Sequence, residues 1–255
     1  MDLRVLGCHG GETPRHRTTA FLIDEHLAID AGALTSQLDL SEQARLDTVI
    51  ISHSHLDHVR DLGTIADNRA QLDCGPLTIA STKGTLDALR KHFFNDLIWP
   101  DFALIPSPEE PTIVYHELPL ETPTKVLDYD VTVTPVDHTV ESAGFLINDG
   151  KGVVAFSGDT GPTDRLWELL DETPNLKALI MEVSFPNEQQ ALATVSGHHT
   201  PNTLIKDLQK LKSPESLPTM LYHIKPAFQS EVEKQCAQLK GVNLHVLKLT
   251  DQFIL

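Results

Sequence analysis

The strongest chemical signal in the chain is the run His53-Ser54-His55-Leu56-Asp57-His58, which sets three imidazoles and a carboxylate within six residues. Imidazole nitrogens and a carboxylate, with no thiolate among them, suit zinc, and such a set also holds manganese or iron. The run follows residues 48–52, a β-branched stretch that predicts a strand, and leads into residues 56–71, whose apolar spacing predicts a helix. A backbone turning between strand and helix can aim all four side chains inward. Further candidates end apolar stretches downstream: His138 after residues 131–136, Asp159 after residues 153–157, and His223 after the stretch ending at Tyr222. Each alone reads more readily as a capping Asp or a satisfied histidine than as a ligand. Their common place at strand ends makes them candidates for one centre.

Such a centre needs strands whose ends converge. Residues 3–7, 19–24 and 27–30 predict three opening strands, the last two joined by the turn Asp24-Glu25-His26. Residues 77–80 predict a strand and 85–94 a helix, and residues 95–111, rich in proline and aromatics, read as an irregular loop placed to act as a lid. The second half predicts strands at 112–117, 131–136, 143–147, 153–157, 178–182 and 219–222, with helices at 163–170, 187–195, 203–211 and 229–239. Strands followed by helices, twice over, imply an α/β (α+β) fold of two stacked mixed sheets with helices on both outer faces. One domain over residues 1–255 is expected, since a sandwich of this size buries a substantial core.

Composition narrows the function classes. A formal charge of −16 disfavours nucleic acid as a partner, because polyanion binding draws on clustered Lys and Arg. No apolar run approaches the roughly 20 residues that cross a bilayer. Three scattered cysteines fit neither a disulfide framework nor a thiolate metal site, which points to reduced thiols and a cytoplasmic protein. Residues 1–11 lack the basic start and long apolar core of an export signal and read as a buried first strand. A homodimer is the default expectation for assembly.

From Leu6-Gly7 and Ile29-Asp30-Ala31-Gly32 to Leu221-Tyr222-His223, the ordered motifs resemble the metallo-β-lactamase superfamily across nearly the whole chain. The resemblance implies a four-layer αββα sandwich and two divalent metal ions, zinc first, manganese or iron as alternatives. By it, His53, His55, His138 and Asp159 hold one metal, and Asp57, His58, His223 and the same Asp159 hold the second. Asp57 is counted with the catalytic set as well as with the ligands. Two cations about 3.5 to 4 Å apart can share a hydroxide, lower its pKa and orient it for in-line attack. Phosphoesters suit such a pair because both cations offset charge on the phosphate oxygens. Lactones and thioesters stay open.

Glu182-Val183-Ser184-Phe185 and Gly197-His198-His199-Thr200-Pro201 are similar to the phosphodiesterase branches of the superfamily, including the tRNA 3'-processing ribonucleases. That similarity pairs Glu182 with His198 as catalytic residues, the imidazole donating a proton to the leaving alkoxide. His199 is the lesser candidate. The competing reading has Thr200 capping a helix with Pro201 at its first position, both histidines facing solvent. No Gly-rich, Lys/Arg-rich arm of the tRNA-processing kind is found. Instead residues 89–102, His198, Thr200, Pro201 and Tyr222-His223-Ile224-Lys225-Pro226 look like class II cyclic-nucleotide phosphodiesterases. The implied substrate is a small 3',5'-cyclic nucleotide, cAMP or cGMP, opened to a 5'-nucleotide. A tRNA 3'-end endonuclease and a lactone or thioester hydrolase are the alternatives, and an iron-loaded redox protein is a third, weakened by the lack of a flavin-binding domain. Phe93, Trp99 and Phe102 suit either a wall for the base or the core. Arg69 can reach phosphate or lie exposed on its helix, Lys225 can meet phosphate or solvent, and His9 has no assigned part. The chain departs from the class II pattern in being shorter than many members and in its start, Gly7-Cys8-His9-Gly10-Gly11.

Overall fold

The computed structural model describes residues 1–255. In chain order, β1 (Asp2–Gly7), β2 (Ala20–Ile23), β3 (Leu27–Ile29), β4 (Thr48–Ile50), β5 (Leu77–Ser81) and β6 (Ile113–Glu117) build a first sheet. A second is built by β7 (Thr124–Val126), β8 (Tyr129–Val136), β9 (Ser142–Asn148), β10 (Val153–Phe156), β11 (Leu176–Glu182), β12 (Pro218–Tyr222) and β13 (Asn243–Val246). The last strand, β14 (Gln252–Ile254), crosses back to pair antiparallel with β1, so each sheet has seven strands. Within each sheet an antiparallel meander gives way to parallel strands, from β3 to β6 in the first and from β10 to β13 in the second. Parallel neighbours need crossovers, and helices supply most of them. They are α1 (Leu40–Arg45), α2 (Leu56–Val59), α3 (Leu62–Leu72) and α4 (Lys83–His92) beside the first sheet, and α5 (Arg165–Glu172), α6 (Gln190–Ser196), α7 (Pro201–Leu208) and α8 (Gln229–Cys236) beside the second.

Three apolar clusters separate four layers. Side chains alternate across a strand, so Val5, Phe21, Ile23 and Ile29 meet Val133, Phe145, Phe156 and Tyr222 between the sheets. The opposite faces carry Leu22, Val49 and Ile79 onto Leu62, Ile65 and Leu86, and Ala155, Leu179 and Met181 onto Leu166, Leu204 and Val232. This is the expected αββα sandwich of two mixed sheets.

The expected helix over residues 56–71 is broken in two. Ala31 N donates to the His58 carbonyl (2.7 Å) and Asp61 N donates to the Ala31 carbonyl (2.8 Å). The loop after β3 thus takes backbone groups that a continuous helix would pair internally, and α2 separates from α3. Asp61 also accepts from Thr35 N and Oγ1, at 2.8 Å each, which fixes the break. The unforeseen α1 buries only Gln43 and is held at both ends. Asp39 and Glu42 form a capping box at its start, and Arg69 donates to the carbonyls of Gln43, Ala44 and Leu46 at its end. Arg69 reaches Cys74 and Gly75 carbonyls too. It is 2% exposed, neither a surface helix residue nor a phosphate contact. Residues 95–111 form the expected irregular loop, anchored behind the first sheet by buried Phe94 and Phe102. Trp99 lies on Gly63 and donates Nε1 to its carbonyl (3.0 Å). Phe102 and Trp99 therefore have packing roles, with Phe93 partly buried beside them.

Candidate metal centre

β3 and β4 are parallel neighbours, and the residues just past their ends begin the site. Asp30 takes a left-handed backbone (φ 58°), which turns its carboxylate back under the next strand end. There Oδ1 accepts from Ser52 N (2.7 Å), and Oδ2 accepts from Ser52 Oγ (2.8 Å) and His58 Nδ1 (2.7 Å). Ser52 Oγ, its proton committed to Asp30, accepts from His53 Nδ1 (3.0 Å). On the second sheet Ser184 Oγ donates to Glu182 Oε2 (2.9 Å) and so accepts from His223 Nδ1 (2.9 Å), while His138 Nδ1 donates to the Gly197 carbonyl (2.8 Å). In the neutral form of all four rings these partners place the proton on Nδ1 and leave the lone pair on Nε2. A hydrogen bond at one ring nitrogen is what fixes a ligating histidine.

Those free nitrogens converge. His53 Nε2 is buried without a hydrogen-bond partner. His138 Nε2 lies 3.1 Å from His55 Nδ1, and His58 Nε2 lies 3.4 Å from His223 Nε2. Asp159 Oδ2 lies 3.0 Å from His223 Nε2, 3.2 Å from His58 Nε2 and 3.9 Å from His53 Nε2, and Asp57 Oδ2 lies 3.3 Å from His223 Nε2. Donor atoms within 4.8 Å of one another fall into overlapping groups: His53, His55 and His138; His53, His58 and Asp159; Asp57, His58 and His223. All seven expected ligands are thus in one place, with Asp159 between the groups. Lone pairs facing lone pairs in a buried site are unfavourable without a cation or proton between them, and nitrogen and carboxylate donors at this spacing fit divalent cations.

Electrostatics follow from burial and from these neighbours. Burial resists charge on Asp159, yet His223 and His58 outweigh it and hold the carboxyl well below its usual range. Burial likewise resists charge on His58, and Asp159 and Asp30 overcome it to raise that ring well above normal. His53, buried among other imidazoles, is pushed well down.

Glu182 is buried at the end of β11 and burial pushes it up to about 7. Its Oε1 accepts from His199 N (2.7 Å), and its Oε2 lies 3.5 Å from His198 Nδ1, with Ser184 Oγ beside both and 3.3 Å from that nitrogen. Donor atoms of His138, Asp159 and His198 lie within 4.8 Å of one another. Burial lowers His198 to about 4. Thr200 does cap α7 with Pro201 at its start, but both histidines are buried, so capping and burial coexist. His199 turns toward α7, its Nε2 3.7 Å from Asp207 Oδ2. Asp30, Ser52 and Ser184 carry no assignment from sequence. Asp30 alone had a usable signal, a carboxylate ending a buried strand as Asp159 does. His9 is buried outside the ligand groups, and Lys225 is half-buried with its charge acting on His198 and His223.

A family model described as a β-lactamase superfamily domain matches residues 21–224. The chain is 32% identical over 225 residues to a probable 3',5'-cyclic-nucleotide phosphodiesterase of Yersinia pestis, covering 78% of this chain and 62% of that protein. It is 28% identical to a 3',5'-cyclic-nucleotide phosphodiesterase of Aliivibrio fischeri, covering 95% of this chain and 89% of the relative. The chain therefore spans less than two thirds of the Yersinia protein. Among solved structures, unliganded yeast PDE1 superposes with a TM-score of 0.81 at 21% identity, covering 98% of this chain and 97% of its own. The metallo-β-lactamase fold protein YhfI from Bacillus subtilis gives 0.78 at 18% identity, covering 99% and 98%. At these identities the structures speak for the fold.

Proposed function

Because the chain belongs to the β-lactamase superfamily, a fold of metal-dependent hydrolases, we propose that it is a phosphodiesterase that opens 3',5'-cyclic nucleotides, cAMP or cGMP, to 5'-nucleotides. In this reading His53, His55, His138 and Asp159 hold one divalent cation and Asp57, His58, His223 and Asp159 the other, zinc before manganese or iron. When bound, the cations supply Lewis acidity that lowers the pKa of water and offsets charge on phosphate oxygens.

The observation that carries the reading is the Glu182-Ser184-His198 arrangement beside the ligand groups. Asp30 and Ser184 keep His58 and His223 in the Nδ1–H tautomer. Burial favours the neutral form of His198 and Asp159 and Asp57 oppose it toward the cation, while Glu182 and Ser184 face its Nδ1 as acceptors and hold the proton there. A phosphate anion arriving beside the ring shifts that balance toward the cation. The ring can then give its proton to the departing ribose 3'-oxygen, a poor leaving group that needs one. The relatives named as cyclic-nucleotide phosphodiesterases support the substrate class. The test is hydrolysis of cAMP and cGMP by zinc- or manganese-loaded protein, with the product identified by chromatography beside a metal-stripped control. Metal-dependent release of 5'-AMP or 5'-GMP is expected. No turnover, or equal turnover without metal, would refute the reading and direct attention to precursor tRNA and lactones.

A further inference from the structure

A groove without an assigned role adjoins the metal centre: His9 pairs by a β-bridge with Ile224, next in the chain to His223. One part, of about 500 Å³, is lined by His9, Arg15, His16, Gln229, Leu247 and Lys248. A second part, of about 680 Å³, shares Arg15 and His16 and extends to Lys225. The chain carries 36 acidic and 20 basic residues, and its field repels anions except where cations stand free. Arg15, Lys225 and Lys248 have no carboxylate within ion-pair distance, whereas nearby Arg17 and Arg60 are both taken by Glu12. The other acids close by are engaged too: Glu233 accepts from Gln229 Nε2 (2.8 Å) and Asp251 from Lys248 N (2.9 Å).

His9 supplies an independent observation. The backbone N–H of Arg17 donates to its Nδ1 (3.3 Å), which places the proton of the neutral ring on Nε2. That donor has no protein partner, although the residue is 7% exposed and lines the groove. The wall is firm: His16 meets the His9 ring edge-on at 4.7 Å and is itself tied to Thr13 Oγ1 and Gln229 Oε1.

We propose that this groove is an anion site, separate from the metal centre, that takes the phosphate of a nucleotide-sized ligand. Free cations and an unpartnered N–H offer charge-assisted hydrogen bonds to phosphate oxygens, and the arginine can bind two of them at once. The volume lies in the range of small-ligand sites. Leu247 and Leu249 leave an apolar wall for the rest of the ligand.

The test is calorimetric titration of the metal-loaded protein with inorganic pyrophosphate and, separately, with 5'-AMP. The wild type is compared with the double variant Arg15→Ser, Lys248→Ser, which changes only exposed, unpaired residues. A His9→Phe variant, which removes the donor, is the second arm. Any binding at the metal centre is common to all three proteins, so the difference reports on the groove. The wild type is expected to bind one equivalent that the double variant binds about tenfold or more weakly at low salt, the difference shrinking as salt rises. Loss for both probes supports recognition of phosphate alone, and loss for 5'-AMP only supports a nucleotide as its source. Equal binding of both probes by wild type and both variants overturns the proposal. The readout is binding, so its outcome is independent of whether cyclic nucleotides are turned over.

Discussion

Asp30→Asn isolates the tautomer control of a proposed ligand. Asparagine tolerates the left-handed backbone at φ 58°, so the change adds no backbone strain. The amide oxygen can still accept from Ser52 N, and Ser52 Oγ can rotate to accept from the new NH2 group. His58 cannot adapt so easily, because its Nδ1–H would then face a donor where it now meets Oδ2 at 2.7 Å. The ring must either move its proton to Nε2, which the cation needs, or leave a buried donor unpaired. An unsatisfied buried donor costs about 1 to 3 kcal/mol, or about 5- to 150-fold in metal affinity, in line with the about 10- to 100-fold typical of such supporting partners. Metal content after dialysis against graded zinc buffers measures the affinity, and thermal unfolding confirms the fold. Two equivalents held with unchanged affinity in Asp30→Asn would refute His58 as a ligand through Nε2.

Further outcomes follow from the same geometry. Asp159→Ala, which removes the carboxylate shared between the ligand groups, should lower metal content and hydrolysis together; elemental analysis showing normal occupancy would contradict the bridging role. Glu182→Gln should keep its metals yet slow turnover, most for poor leaving groups, and equal losses on a p-nitrophenyl phosphodiester and on cAMP would count against the acid role of His198. Arg69→Met strands several carbonyls and should destabilise the fold by about 2 to 4 kcal/mol in urea titration while metal content is retained. Burial pushes the Cys8 and Cys236 thiols up to about 12, so with a thiol reagent at pH 8 only half-buried Cys74 should react fast, all three reacting after unfolding. Because both folded values are raised, their contribution to stability is complete below pH 9 and is lost as pH climbs toward 12, which stability curves across that range can check.

The proposed ligands were legible because type, spacing and place at strand ends coincide at His53, His55, Asp57, His58, His138, Asp159 and His223. The residues that orient them were not. Ser52 and Ser184 are ordinary serines whose value lies in which groups meet their single hydroxyl, a matter of tertiary structure. The break at Arg60-Asp61 is invisible to periodicity, since apolar positions continue through it and the cause lies in the distant Ala31 backbone. Strands β7, β13 and β14 are only three or four residues long and partly exposed, too brief for alternation to stand out, and β14 pairs only along the edge that β1 offers it. Arg69 had no pattern at all, since a guanidinium gathering carbonyls from a helix end and a loop looks from sequence like any helical arginine.

The proposed ligands are divided between the two sheets. His53, His55, Asp57 and His58 hang from the first, and His138, Asp159 and His223 from the second, with neither sheet holding a complete set. Bound cations would therefore act as rivets through the sandwich, resisting any slide or hinge of one sheet over the other. Chelation would be felt as a loosening along the seam, with faster amide exchange at the ends of β4 and β12 while the helix layers stay protected. Occupancy would then set the mechanical stiffness of the whole sandwich as well as its chemistry.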